Sequence, residues 1–278
     1  MKEIKIWKMA LIWFGTTFLV FFGEIIYSLS DNSMEVNDIL IAFILFLSML
    51  LITLISGRVS VEIVKERWKN FKEVVSIKEI LIVVATQLLL SIGLSSLGIG
   101  ILASTNINKA LELINNSFGN PTNNIDLVLW LITTVVLAPI LEEIVFRRVL
   151  FKKLNKGLSF ISSSVISSLI FGIAHESLNI LGAVVFGVAC CVLYKKYNNL
   201  LVPIALHLVN NLAGGIFSII GYFSGTLNGT ITTITNFHIK MYLILGISLT
   251  FITLIIFIRF VIKNKQYLET KERALQTS

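Results

Sequence analysis

Glu142, Glu143, His175, His207 and Asn211 have side chains able to hydrolyse an amide, and each lies in an apolar stretch. A carboxylate in a low-dielectric cavity can take a proton from water near neutral pH. An imidazole can share that proton and orient the water. An asparagine amide and a second imidazole can donate hydrogen bonds to an oxyanion as it forms. The same residues leave a second chemistry open, in which Glu142, His175 and His207 hold a metal that acidifies the water. Serine and cysteine nucleophiles lack support, because no GxSxG occurs and the serines of 159–168 read as small residues for close helix packing.

Spacing divides the labour. Glu143 and Arg147 are four apart with the acid first, the favourable order for a helical ion pair. Glu142 is rotated by about 100° and has no basic residue three or four positions on, so it can face something else. Pro139 removes a backbone donor and can kink the helix or release a carbonyl within the membrane. Phe171 precedes His175 by one turn, and Asn211 follows His207 by one turn, so each pair shares a helix face. Of the remaining groups, Glu24 reads as structural or interfacial. His238 is placed in an outer loop, and the adjacent Cys190 and Cys191 read as core packing.

These groups need elements to hold them, and the composition says which. Of the 278 residues, 55% are hydrophobic and 14% charged, with a mean hydropathy of +0.87. Soluble domains carry roughly a quarter charged residues. Residues 39–57, 80–108 and 241–258 contain no charge at all, and such runs read as bilayer-spanning helices. The chain is therefore expected to be all-α and polytopic, not a soluble enzyme, a disordered chain or a disulfide-stapled module. Eight helices are expected, at about 7–29, 38–57, 78–103, 125–150, 158–175, 178–194, 199–220 and 240–262. They would form one transmembrane domain over 1–262, followed by a frayed polar cytoplasmic tail, 263–278.

Of the 23 Lys and Arg residues, all but Lys109 and Lys240 fall in alternate connections. The positive-inside rule turns this into both termini in the cytoplasm. The net charge of +7 is thus sorted between loops and is not a nucleic-acid patch. Val61, Val64, Trp68, Phe71 and Val75 make 58–78 an amphipathic helix on the cytoplasmic leaflet, and 104–124 reads as an extracytoplasmic loop. One tension follows. His207 would lie roughly 12 Å into its helix and His175 roughly 25 Å into its own. They meet only if the fifth helix starts deeper in the cytoplasm and the tip Glu176–Asn179 stays buried.

Glu142-Glu143-x-x-x-Arg147, Phe171-x-x-x-His175 and His207-x-x-x-Asn211 resemble, in order and spacing, the three motifs of the CPBP intramembrane proteases. This is the Abi or CAAX-protease family, with its Rce1-type endopeptidases and its bacteriocin-processing and immunity proteins. The resemblance covers about 125–215, without departure at the motif positions. It implies a membrane endopeptidase whose cavity opens toward the cytoplasm and bilayer. By the same resemblance, Glu142 and His175 would activate water, His207 and Asn211 would form the oxyanion hole, and Glu143, Arg147 and Phe171 would support them. Glu142 acting as a general base needs no cofactor; Zn2+ on Glu142, His175 and His207 is the alternative.

Two other classes fit the same residues. One is a non-catalytic immunity or partner-binding protein, which would tolerate loss of Glu142. The other is a transporter with the acids as proton relays, opposed by their confinement to one helix and the lack of paired interrupted helices. The expected partners are a membrane-associated peptide or protein substrate and the lipid bilayer, with no nucleic acid. The substrates that fit are a CAAX tail, a pheromone or bacteriocin leader, or a membrane-anchored regulator. Compact size and the lack of organelle signals point to a prokaryotic plasma membrane.

Overall fold

The computed structural model describes residues 2–30, 37–115, 121–175, 180–224 and 231–268. Every regular element among them is helical. In chain order these are α1 (Ile6–Ser30), α2 (Asp38–Ser56), α3 (Val61–Val74), α4 (Ile77–Thr105), α5 (Ile107–Asn115), α6 (Asn124–Leu154), α7 (Phe160–Ile173), α8 (Ile180–Tyr197), α9 (Leu201–Ser224), α10 (Asn236–Lys263) and α11 (Lys265–Leu268). Polar residues set many of the starts. Asn37, Ser60, Ser76, Asn123, Ser159 and Thr235 each accept a hydrogen bond from a first-turn N–H, which fills a donor the helix cannot.

Seven of the described helices are long and apolar enough to cross a bilayer, and the chain is an all-α, multi-pass membrane protein. The eighth expected helix, 158–175, is also present and is short. As α7 it has 14 residues, about 21 Å of rise against a hydrocarbon core of about 30 Å. Two outer segments differ from expectation. Within 104–124 stands the helix α5, because Ala110, Leu111 and Ile114 pack on Ala103 and Ile234. His238 is not in a loop but in the first turn of α10, where its Nδ1 accepts from the Thr235 N–H and closes a capping box.

The start of the 263–278 tail is held rather than frayed. Asn264 is buried and donates to Phe260 O at 2.9 Å, and Lys196 lies 5.4 Å from the Tyr267 ring centroid in α11. The rest of the tail, 269–278, and the tip Glu176–Asn179 lie outside the described residues. α3 forms as expected, with Val61, Val64 and Trp68 exposed. Asn199, in the turn before α9, donates to Arg67 O at 2.8 Å and to Asn70 Oδ1 at 3.1 Å, tying α3 to the start of that helix.

Two close seams hold the bundle. α10 runs along α4 so tightly that a methyl group added at Gly246 would stand 2.5 Å from Leu97 N. α7 and α8 meet where Gly187 of α8 lies against the buried Ser168 and Gly172 of α7 lies against Val184, as small residues at a membrane interface allow. Ser167 donates to Phe146 O at 2.9 Å, which fixes α7 on α6. Cys190 and Cys191 are fully buried free thiols; Cys190 packs in the cluster of Phe146, Phe171 and Phe186, and Cys191 beside Phe151 and Tyr194.

Candidate active site

α6 carries the carboxylates, and its winding is irregular on both sides of them. Ile132–Leu137 and Ile144–Phe151 are π-helical, with an α-helical turn, Ala138–Glu143, between. Such wide turns are rare and cluster at functional positions. Pro139 has a specific effect here. In the π register Ala138 N–H donates to Thr133 O. The next donor in that series would be residue 139, which as proline has none, so Thr134 O loses its intrahelical partner. Asn211 Nδ2, on α9, donates to that carbonyl at 2.8 Å.

The two adjacent glutamates have different surroundings. Glu143 is fully buried: its Oε2 is 3.0 Å from Arg147 Nε, and its Oε1 is 2.9 Å from His207 Nδ1. The Arg147 contact is angled, so it is an ion pair rather than a good hydrogen bond. The guanidinium, 1% exposed, lies 4.5 Å from the Phe171 ring centroid, a cation–π contact that offsets part of the desolvation. Glu142 points instead into a cavity of about 370 Å³. Its Oε2 stands 3.8 Å from His207 Nε2.

The cavity brings together Glu142 of α6, Phe171 of α7, His175 just past the end of α7, and His207 and Asn211 of α9. Phe171 is the pivot, with ring centroids 4.5 Å from His175 and 5.9 Å from His207; Phe186 closes the other side of His207 at 4.9 Å. The two histidines thus reach one site although they sit at different depths along their helices, so α7 and α9 do not start level and parallel. His175 Nδ1 donates to Phe171 O at 2.8 Å, which leaves Nε2 with its lone pair. Glu143 accepts from His207 Nδ1, so His207 Nε2 is an acceptor in the neutral ring and a donor only in the imidazolium.

Glu24 stays on α1, outside the cavity lining. The link from Glu143 to His207 was not foreseen from sequence, because 64 residues separate them. Gln87 and Ser91 of α4, Phe46 of α2, Thr134 and Asn210 also line the cavity. A polar glutamine within the uncharged run 80–108 was the signal that could have found Gln87. Among the described residues, no group of three or more His, Cys, Asp or Glu side chains has the spacing of a metal site. The residues present do not fit a zinc set.

Comparison with known proteins falls on this same stretch. Residues 124–213 match the family described as Type II CAAX prenyl endopeptidase Rce1-like. YdiL of Bacillus subtilis (strain 168), named as a membrane peptidase, is 38% identical over 84 residues, 30% of this chain and 34% of the relative. The membrane-embedded CAAX protease MroQ of Staphylococcus aureus (strain USA300) is 35% identical over 83 residues, 27% of this chain and 34% of the relative. The alignments thus span about a third of the length of these curated relatives. No solved structure matches. The similarity falls on helices that line the cavity, and over residues 124–213 the chain is similar to Rce1-like CAAX endopeptidases.

Proposed function

We propose that the chain is an intramembrane endopeptidase that cleaves a membrane-associated peptide or protein, with water activated by Glu142 and His175. The observation that carries this reading is the division between the two glutamates. Glu143 is consumed by Arg147 and His207, while Glu142 faces the cavity beside two imidazoles.

In this reading water lies between Glu142 and His175 Nε2, and Glu142 takes its proton as the oxygen attacks the scissile carbonyl. The developing oxyanion receives hydrogen bonds from the second Nδ2–H of Asn211 and from Nε2–H of His207 as imidazolium, whose charge Glu143 balances. Glu142 then returns the proton to the leaving amine as the C–N bond breaks. No step runs through a metal. The preferred setting is a prokaryotic plasma membrane with both termini cytoplasmic, and the chain forms one transmembrane unit.

The test compares peptide termini from cells carrying the wild-type chain with cells carrying Glu142→Gln at equal membrane levels. Termini present only with wild-type are the expected result. Identical termini, together with an immunity phenotype that survives the substitution, would replace this reading with the non-catalytic binding protein.

A further inference from the structure

Outside the cavity, α3 orders its side chains in sectors. At about 100° per residue, Val61, Val64, Trp68 and Val75 fall in one strip along the helix, and the first three are exposed. One edge of the strip leads into the protein. Phe71 is buried in the cluster that holds Phe171 and Leu206, and Trp68 stacks on its ring with centroids 5.3 Å apart. Farther round on that side lies Asn70, whose Oδ1 accepts from Asn199. The other edge carries Lys72, Lys65 and Lys69, all exposed. None of the three is ion-paired among the described residues, although Glu66 and Glu73 stand three and four positions from Lys69. Glu66 lies about opposite the middle of the strip. With the strip in the acyl boundary, this order puts the lysine heads at the level of lipid phosphates and lifts the carboxylates into water.

We propose that α3 binds anionic phospholipid headgroups through Lys65, Lys69 and Lys72, and that this docking sets the position of α9 behind the cavity. A zwitterionic leaflet would bury the strip but give the lysines no net attraction. At an anionic leaflet each lysine gains about fivefold in binding. The coupling runs through the buried Asn199. It donates to Arg67 O at 2.8 Å and to Asn70 Oδ1 at 3.1 Å, and its own Oδ1 accepts from the Leu201 N–H at 3.1 Å, in the first turn of α9. His207 follows on the same helix after about 12 Å of rise. A docked α3 therefore fixes where α9 begins, and with it how His207 and Asn211 face Glu142. The effect on cleavage, unlike the lipid site itself, rests on the endopeptidase reading.

The test uses the full chain in phosphatidylcholine vesicles carrying a small fraction of brominated phosphatidylglycerol or, in a parallel set, of brominated phosphatidylcholine. The fluorescence that Trp68→Phe removes is the Trp68 signal. Brominated phosphatidylglycerol is expected to quench it at least about fivefold more effectively, and about 0.5 M salt should erase most of that preference. Replacing Lys65, Lys69 and Lys72 together by Gln should leave the two lipids equal. Equal quenching in wild-type, a preference that survives the triple change, or no quenching by either lipid, as when a protein covers the strip, would overturn the site. Amide hydrogen exchange over Leu201–His207 reads the coupling and should slow when phosphatidylglycerol is added. Asn199→Asp keeps the acceptor for Leu201 and loses both donations to α3, so it should keep the lipid preference and lose the exchange response. Asn70→Ala, at an exposed position, should weaken that response in the same way. An unchanged response in both variants would overturn the coupling. If wild-type cut no peptide in either lipid, the endopeptidase reading would fall while quenching and exchange still decided this one.

Discussion

Arg147 holds a formal charge in a region where a charge alone costs several kcal/mol, and Glu143 with the Phe171 face is what it has to offset that. Removing one partner leaves the other uncompensated. Arg147→Met is therefore expected to destabilise the fold by about 3–5 kcal/mol, read as loss of folded membrane protein in a thermal-shift series. The double change Glu143→Gln with Arg147→Met should restore much of that stability without restoring cleavage, because His207 then lacks its carboxylate. Glu142→Gln should leave the melting temperature near wild-type and abolish cleavage. Chelators should not lower the rate. The helical offset between Glu142 and Glu143, and the four-residue step to Arg147, were readable in sequence because they are local. The Glu143–His207 contact was not, since only the packing of α6 on α9 creates it.

On the scale of elements, the irregular winding of α6 is the feature that positions the chemistry. Pro139→Ala would supply an N–H that competes for the carbonyl now held by Asn211. Activity is expected to fall about tenfold to a hundredfold, somewhat less than outright loss of an oxyanion donor, with stability unchanged or raised. The pairing of kinetics with a melting curve checks this, since simple misfolding would lower both. Sequence periodicity located nearly every long helix within a few residues because uncharged runs are unambiguous. It located α7 as well, Phe160–Ile173 against an expected 158–175. It could not announce the π turns, which depend on tertiary partners such as Asn211 and Ser167.

For the whole molecule, the α4–α10 seam holds the last long helix against the bundle. Gly246→Leu would drive a side chain into the Leu97 backbone and is expected to reduce folded yield sharply. Gly214, where an added methyl group meets nothing, should accept alanine with little effect, and a paired expression and thermal assay separates the two. Charge sorting survives the shortness of α7. Lys152, Lys153 and Lys156 precede this helix, and Lys195 and Lys196 end α8, so the hairpin enters and leaves on one basic side. Reporter fusions in the connections test that orientation.

The size of the cavity has a further consequence for supply. At about 30 Å³ per molecule in the liquid, a space of about 370 Å³ has room for roughly a dozen waters. The co-reactant of a hydrolysis would then be stocked beside the carboxylate and need not diffuse in with each turnover. What would have to travel is the peptide, which must exchange lipid for this small reservoir. Its readiness to shed helical structure, more than its affinity for any side chain, would then govern how fast it is consumed.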